Sequence, residues 1–269
     1  MSPQPKKPVD SKRTAREKAA EARAGALAAE RRRDRTVRLV GAVVVLAVVG
    51  VIVAMVILGQ KKAPAVNANA ALPKGVNSVD YGVKYGTASA TAPRLDLWED
   101  FQCPICKDFE TANGASLKAL ADAGKVQLYW HPANFIEAKF PNSNLSSTRA
   151  AYAWGCAIDS GKVTQYHSGI FAMQNKTEGG GYTDTQFLNL AQQVGITGND
   201  FSTFQTCFTS AKYQQWVINS ENEFQQRAVP GTPTGYLNGV EIQSATLFSP
   251  SALAAAIAAA GPAPSPSHS

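Results

Sequence analysis

The stretch DFQCPICKDF, residues 100–109, decides how this chain is read. Cys103 and Cys106 stand three apart, with a proline between them, at the end of the apolar run RLDLWED (94–100). That run reads as a strand, and residues 104–123 as a helix closed by Gly124. Pro104 suits the first helical position, where its φ is pre-set and its missing N–H is no loss. Cys103 then takes the N-cap and Cys106 the third helical position. At the N-cap the Cys103 sulfur faces free backbone N–H groups and the positive end of the helix dipole, and both favour thiolate over thiol. A stabilised thiolate stabilises the reduced pair, which makes the disulfide the better oxidant. Cys106 lies on the same face, deeper in the first turn, placed to close the bond as the resolving sulfur.

Other uses of the pair fit less well. Zinc needs four ligands, and Cys156 and Cys207 form no second close pair, leaving only His131 and His167 in the domain to add. No metal is therefore expected. An inert Cys103–Cys106 staple would close a loop over two residues and barely restrain the unfolded chain. Four cysteines outside the cytoplasm permit three pairings. Cys103–Cys106 as the redox pair with Cys156–Cys207 as a structural bond is the natural one, against two buried free thiols. The second bond would close about fifty residues, worth about 3–4 kcal/mol in the loop-entropy model.

Location matters to that reading, and the charge pattern supplies it. Residues 1–38 hold 12 Lys+Arg against 5 Asp+Glu, while the other residues hold 14 against 15. The net charge of +6 belongs to an N-terminal arm, so a nucleic-acid reader with a basic face on its folded domain is excluded. Residues 40–58 are apolar throughout, enough to span about 30 Å as a helix. Arg31, Arg32, Arg33, Arg35 and Arg38 precede this run and only Lys61 and Lys62 follow closely. The excess of positive charge puts the N-terminus in the cytoplasm and the rest outside. An uncleaved signal anchor is preferred to a cleaved signal peptide, whose apolar region is shorter. The expected organisation is a basic cytoplasmic arm (1–36) and a transmembrane anchor held in lipid (37–59). A small-residue linker (60–76), a folded domain (77–260) and a disordered tail (261–269) follow.

Within the domain, residues 79–87 and 126–131 read as strands. Residues 146–160, 164–174, 183–194 and 201–228 read as helices, the last broken near Thr209. Asn238-Gly239 signals a hairpin between 234–237 and 240–243. Ser249 or Ser251 caps a final Ala-rich helix. Trp98 and Trp130 are expected in the core of adjacent strands. His131 sits near a strand end, and Asp96, Glu99 and Asp100 crowd the strand before the cysteines without an assignable role. No GxGxxG or phosphate-binding loop occurs, and no cofactor is expected.

With DFQCPIC after an apolar strand and VPGTPTGYLNG at residues 229–239, the chain resembles the DsbA-like branch of the thioredoxin superfamily. The resemblance spans about residues 77–260. It implies an α/β thioredoxin-like fold carrying a helical insertion, about 141–208, here behind one transmembrane helix. It also implies a cis-proline facing the cysteines, at Pro233 rather than Pro230, with the Thr232 backbone turned toward Cys103 to pair with an extended substrate. On the sequence alone, a trans Pro233 opening an edge strand fits equally well.

Two departures stand out. The acid often found six residues before the first cysteine is replaced by Leu97, and Ile105 stands where the strongest oxidants have His. The resemblance therefore implies an oxidant weaker than those, acting on reduced exported polypeptides and reoxidised by a DsbB- or VKOR-like membrane partner. A disulfide isomerase or reductase kept reduced by a membrane donor is the alternative within the class. A non-catalytic thioredoxin-fold binding or chaperone module is the alternative outside it. A copper carrier is disfavoured by the scarcity of Met.

Overall fold

A computed structural model describes residues 65–140 and 142–263. The expected arm and anchor (residues 1–59) lie outside the described residues, as do residues 60–64, Pro141 and most of the expected tail (264–269). Among the described residues, no helix is long and apolar enough to cross a membrane.

Strand β1 is Val83–Tyr85 and β2 is Arg94–Glu99. Helix α1, Pro104–Asp122, crosses to β3, Gln127–Pro132, which pairs parallel with β2. Six helices follow before the chain returns to the sheet. They are α2 (Ile136–Lys139), α3 (Ser146–Asp159), α4 (Val163–Ala172), α5 (Asp184–Gln193), α6 (Gly198–Thr209) and α7 (Gln214–Gln226). The hairpin β4 (Thr234–Leu237) and β5 (Val240–Glu241) then completes a five-stranded sheet in the order β1-β3-β2-β4-β5. Helices α8 (Ser244–Leu247) and α9 (Pro250–Ala259) end the fold.

Local chemistry explains these elements. Leu95 and Leu97 of β2 are completely buried in the centre of the sheet. Helix α1 buries Cys106, Phe109, Glu110, Asn113, Leu117 and Ala121, a stripe at helical spacing, and Gly124 takes up φ +69° beyond its end. Asn238 and Gly239 both have positive φ, as a tight two-residue hairpin requires. Ser249 caps α9 by accepting from the Ala252 N–H, with Pro250 in the first helical turn. Ala211, at φ +49°, lies in the break that separates α6 from α7.

Three features differ from the sequence expectation. Strand β1 is short because Tyr81 has φ +58° and the Asn77 side chain accepts from the Val79 and Asp80 N–H groups, folding the chain into a turn. The two four-residue helices, α2 and α8, show no apolar period at that length. The stretch expected as a linker packs on the domain: Leu72 and Val76 lie against the core, and the Asn67 backbone exchanges two hydrogen bonds with the Asn219 side chain.

The core is aromatic. Trp98, Trp130, Trp154 and Trp216 are all fully buried. Cys156 of α3 and Cys207 of α6 are joined by a disulfide with Cα atoms 5.9 Å apart. The sheet register has a direct consequence for the cysteine pair. Strand β4 runs antiparallel to β2 with Trp98 opposite Thr234. The residues just before β4, Thr232 and Pro233, therefore lie beside the residues just after β2, which lead to Cys103.

Candidate active site

Cys103 occupies the N-cap of α1 with extended backbone (φ −75°, ψ 117°), and Pro104 follows in the first helical turn. No side-chain oxygen caps this terminus. Cys103 is 4% exposed and Cys106 is fully enclosed, while Ile105 between them is 54% exposed. Both cysteines are free thiols in this structure. The Thr232–Pro233 peptide bond is cis. The Cys103 thiol donates to the Thr232 carbonyl oxygen at 3.3 Å. The Thr232 hydroxyl is buried and makes no aligned hydrogen bond, but it lies near enough to the Cys103 sulfur to favour the thiolate.

The two sulfurs are driven apart in acidity. The Cys103 thiol falls to about 6, chiefly because Cys106 donates a hydrogen bond to its thiolate. Burial opposes this, and the Thr232 side chain and the N–H groups of Cys106 and Ile105 add to it. Burial pushes the Cys106 thiol well above its ordinary value, and the neighbouring charges of Cys103 and Glu99 push the same way. The reduced pair is thus one thiolate and one thiol at neutral pH. The helix terminus contributes as its position suggests, but the partner sulfur contributes more.

The loop between α4 and α5 clamps the turn that carries Cys103. The Gln174 amide donates to the carbonyls of Phe101 and Cys103, each at 2.9 Å, and the Tyr182 hydroxyl donates to the same Phe101 carbonyl. Asp100 accepts from the Ser147 hydroxyl at 2.6 Å, the Gln102 N–H at 2.8 Å and the Ile136 N–H at 3.0 Å. Burial still raises its carboxyl to about 8, although these hydrogen bonds work against the shift.

Glu99 shares a strand face with Leu97, one pleat nearer the cysteines. It is buried, and neither of its carboxylate oxygens has an aligned hydrogen-bond partner. Its Oε2 lies 3.2 Å from His167 Nε2, and His167 Nδ1 lies 3.8 Å from Glu110 Oε2. Lys118 Nζ sits 3.9 Å from the same Glu110 oxygen. The ligating atoms of Glu99, Glu110 and His167 lie within 4.8 Å of one another, a set that could hold a cation or pass a proton.

Asp96 and His131 belong to a different cluster. His131 Nε2 is 2.8 Å from Asp96 Oδ1, and Arg94 pairs with both Asp80 and Asp96. Burial would raise the Asp96 carboxyl, but the hydrogen bonds from His131 and Arg94 outweigh it and hold the group low. Trp98 stacks on His131 with ring centres 4.5 Å apart. None of the hydrogen bonds or ion pairs of Asp96 and His131 runs to Cys103 or Cys106.

The structure therefore gathers Cys103, Cys106 and Thr232 at one place, with Pro233 bonded to Thr232, and sets Cys156–Cys207 apart in the helical layer. The sequence marks no role for Gln174, Tyr182, Ser147 or Glu110, and counts His167 only among the two histidines available to a metal. Gln174 reaches the site from 71 and 73 residues away, and no local pattern marks it.

Residues 79–259 match the family model described as Thioredoxin. No curated protein matches the sequence. Among solved structures, the chain is similar to MdbA of Actinomyces oris, a thiol-disulfide oxidoreductase, at 23% identity and a TM-score of 0.58, over 76% of this chain and 99% of that one. It is similar to the reduced disulfide bond oxidoreductase DsbG of Mycobacterium tuberculosis at 25% identity and a TM-score of 0.55, over 65% and 85%. Oxidised BdbD of Bacillus subtilis aligns at 20% identity and a TM-score of 0.56, over 70% and 97%. The chain belongs to the thioredoxin family.

Proposed function

We propose that this chain is a membrane-anchored, extracytoplasmic oxidase of protein thiols, donating its Cys103–Cys106 disulfide to exported polypeptides. A substrate thiolate attacks the Cys103 sulfur, the Cys103–Cys106 bond breaks, and Cys106 leaves. A second substrate thiolate then attacks the mixed disulfide and expels Cys103 as a thiolate. The substrate gains one disulfide and the enzyme keeps both electrons as a dithiol. A membrane reoxidant of the DsbB or VKOR kind removes them. In the reverse half-reaction Cys103 is the nucleophile and Cys106 the resolving thiol. Thr232 and Pro233 position the substrate strand beside Cys103. The apolar run 37–59 anchors the domain in lipid, with the basic arm in the cytoplasm and no role in binding nucleic acid. Cys156–Cys207 braces the helical layer.

One observation carries this reading: the inequality of the two sulfurs. A Cys103 held near 6 is a good leaving group at neutral pH, whereas the fully buried Cys106 sulfur is out of reach of any outside thiol. The test uses a reduced peptide with two cysteines and the oxidised full-length chain. Wild type forms the peptide disulfide, Cys103→Ser does not, and Cys106→Ser, charged beforehand at Cys103 with a peptide carrying a single cysteine, holds the mixed disulfide because neither enzyme nor peptide offers a resolving thiol. A Cys103→Ser variant that still oxidises the peptide contradicts the assignment.

A further inference from the structure

We infer that the cavity between Gln102 and the glycine loop 179–181 is a substrate subsite, which receives one small hydroxyl donor from a residue flanking the substrate cysteine. The subsite rests on the proposed function and deepens it, since it says which sequences around a cysteine the reactive pair selects.

The cavity lies against the residues that carry the chemistry. Gln102 immediately precedes Cys103 and lines the cavity. Gln174 and Tyr182 line it too, and their side chains hold the carbonyls of Phe101 and Cys103. The loop that joins Gln174 to Tyr182 supplies the rest of the wall. The volume is about 10 Å³, room for one group the size of a water molecule.

The free polar group on this wall is an acceptor. Gln102 is 3% exposed, and its Oε1 has no hydrogen-bond partner. Neighbouring groups fix which way its amide points. Asp100 accepts three hydrogen bonds, one of them from the Ser147 hydroxyl at 2.6 Å. Ser147 has then given its only proton, so toward Gln102 it can only accept, and it does so from Nε2 at 2.9 Å. The amide nitrogen therefore faces Ser147, and Oε1 is left over. The other polar side chains on the wall are engaged. Gln174 gives both amide hydrogens to the Phe101 and Cys103 carbonyls, and the Tyr182 hydroxyl donates to that of Phe101. The Asn175 side-chain oxygen accepts from the Thr177 N–H. A buried acceptor without a donor is destabilising, and an incoming O–H removes that cost.

The wall is formed before any substrate arrives. Gly179 and Gly181 have φ of +73° and +67°, which glycine adopts without strain. Space demands glycine there as well. A Cβ at Gly179 would stand 2.3 Å from a Phe140 ring carbon, and one at Gly181 2.7 Å from the Ser146 hydroxyl oxygen. That oxygen accepts from the Tyr182 N–H at 3.0 Å, which seats the end of the loop on α3. Binding there orders little that is not already ordered.

The reach suits an extended chain. Its residues follow one another at about 3.4 Å, so a side chain one or two positions from the substrate cysteine covers the step from Cys103 to Gln102. A Ser hydroxyl fills a space of one water and pairs with Oε1. An Ala in its place leaves Oε1 unpaired.

The test measures kcat/KM of the full-length chain for two-cysteine peptides that carry Ser, or Ala in its place, at each of the two positions on either side of the reactive cysteine. At one of these positions Ser should exceed Ala about fivefold, the effect of one hydrogen bond. Gln102→Met keeps the length of the side chain and removes the acceptor, and it should bring that ratio to about one. A merely structural loss would slow both peptides alike and leave the ratio in place. If Gln102→Met fails to fold, Gly180→Ala decides. Gly180 has no positive φ, and a Cβ there meets the Asn175 amide at 2.6 Å, so the variant displaces a group that lines the cavity and should lose the preference. Equal wild-type rates at every position would mean that the cavity holds water only and would overturn the subsite. A preference that survives in the deciding variant would overturn it too. A wild type that oxidises none of the peptides sinks the proposed function instead, and the subsite with it.

Discussion

The Cys103 sulfur lies 3.3 Å from the carbonyl oxygen of Thr232, 129 residues further along the chain. The contact follows from strand pairing: with Trp98 opposite Thr234, the end of β2 and the start of β4 cannot be far apart. It puts the reactive sulfur beside a backbone acceptor that an incoming extended chain could also reach. The Thr232 hydroxyl, buried and otherwise unpartnered, acts on the same sulfur.

The first prediction concerns that hydroxyl. The thiolate absorbance of the reduced protein should titrate with a midpoint near 6. In Thr232→Val the hydroxyl is lost while the shape is kept, and the thiolate fraction at pH 6 should fall about sevenfold or more, the effect of one polar contact to a charged group. The sign extends to stability. Cys103 is lowered in the folded reduced form from an ordinary 9.0 to about 6, so its stabilising contribution is full above pH 9 and is lost as pH falls through 6. Denaturation of the reduced protein relative to the disulfide form, followed from pH 9 to pH 5, should show this loss. An unchanged difference would contradict it.

The clamp on the cysteine turn yields a second prediction. Gln174→Ala leaves the buried carbonyls of Phe101 and Cys103 without one shared donor, at a cost of about 1–3 kcal/mol. Urea denaturation should register that loss, and peptide oxidation should slow, because the same amide fixes the backbone of the reactive residue. A variant with wild-type stability would show that other donors can replace it.

The frame of this site is legible in the sequence and its surroundings are not, for identifiable reasons. The helix start at Pro104, the cysteine at the N-cap and the hairpin at Asn238-Gly239 depend on a few neighbouring residues, and they are legible locally. Cys103 and Thr232 could be brought together only through the family resemblance, since nothing near either residue names the other. Gln174, Tyr182 and Ser147 are not legible, because a polar residue in a loop or on a helix face looks the same whether or not it docks on a distant turn. Glu99 was visible but its facing was not, until the pairing of β2 on both sides fixed the pleat. The stretch before residue 77 looked like a linker because an extended segment held by single contacts, such as Asn67 with Asn219, leaves no periodicity to read.

A third prediction concerns pH and the buried Asp100. Burial raises it from an ordinary 3.8 to about 8, so the folded state binds more protons than the unfolded chain between those values. Its contribution is therefore present at low pH and is lost as pH rises toward 8. His167, lowered to about 4, acts oppositely, but only below about its ordinary 6.5. Denaturation of the disulfide form, in which neither active cysteine titrates, should show stability falling from pH 6.5 to 8. Asp100→Asn should flatten that slope, and an equal slope in the variant would contradict the assignment.

The bond between Cys156 and Cys207 spans a sequence separation of 51 residues. Replacing both by Ser should cost about 3–4 kcal/mol of stability in the loop-entropy model. The variant should keep its peptide-oxidising activity at low temperature, because the bond lies in the helical layer away from the reactive pair. Loss of activity in a folded double variant would assign the bond a redox role instead.

The central claim is that the Cys103–Cys106 disulfide is unstable relative to a thiolate held by its surroundings. The redox equilibrium of this pair in glutathione buffers tests it most directly, read by alkylation of the full-length protein. The account predicts a potential well above about −200 mV, a disulfide that is readily given away. A value near −270 mV, the range of a cytoplasmic reductant, would contradict it.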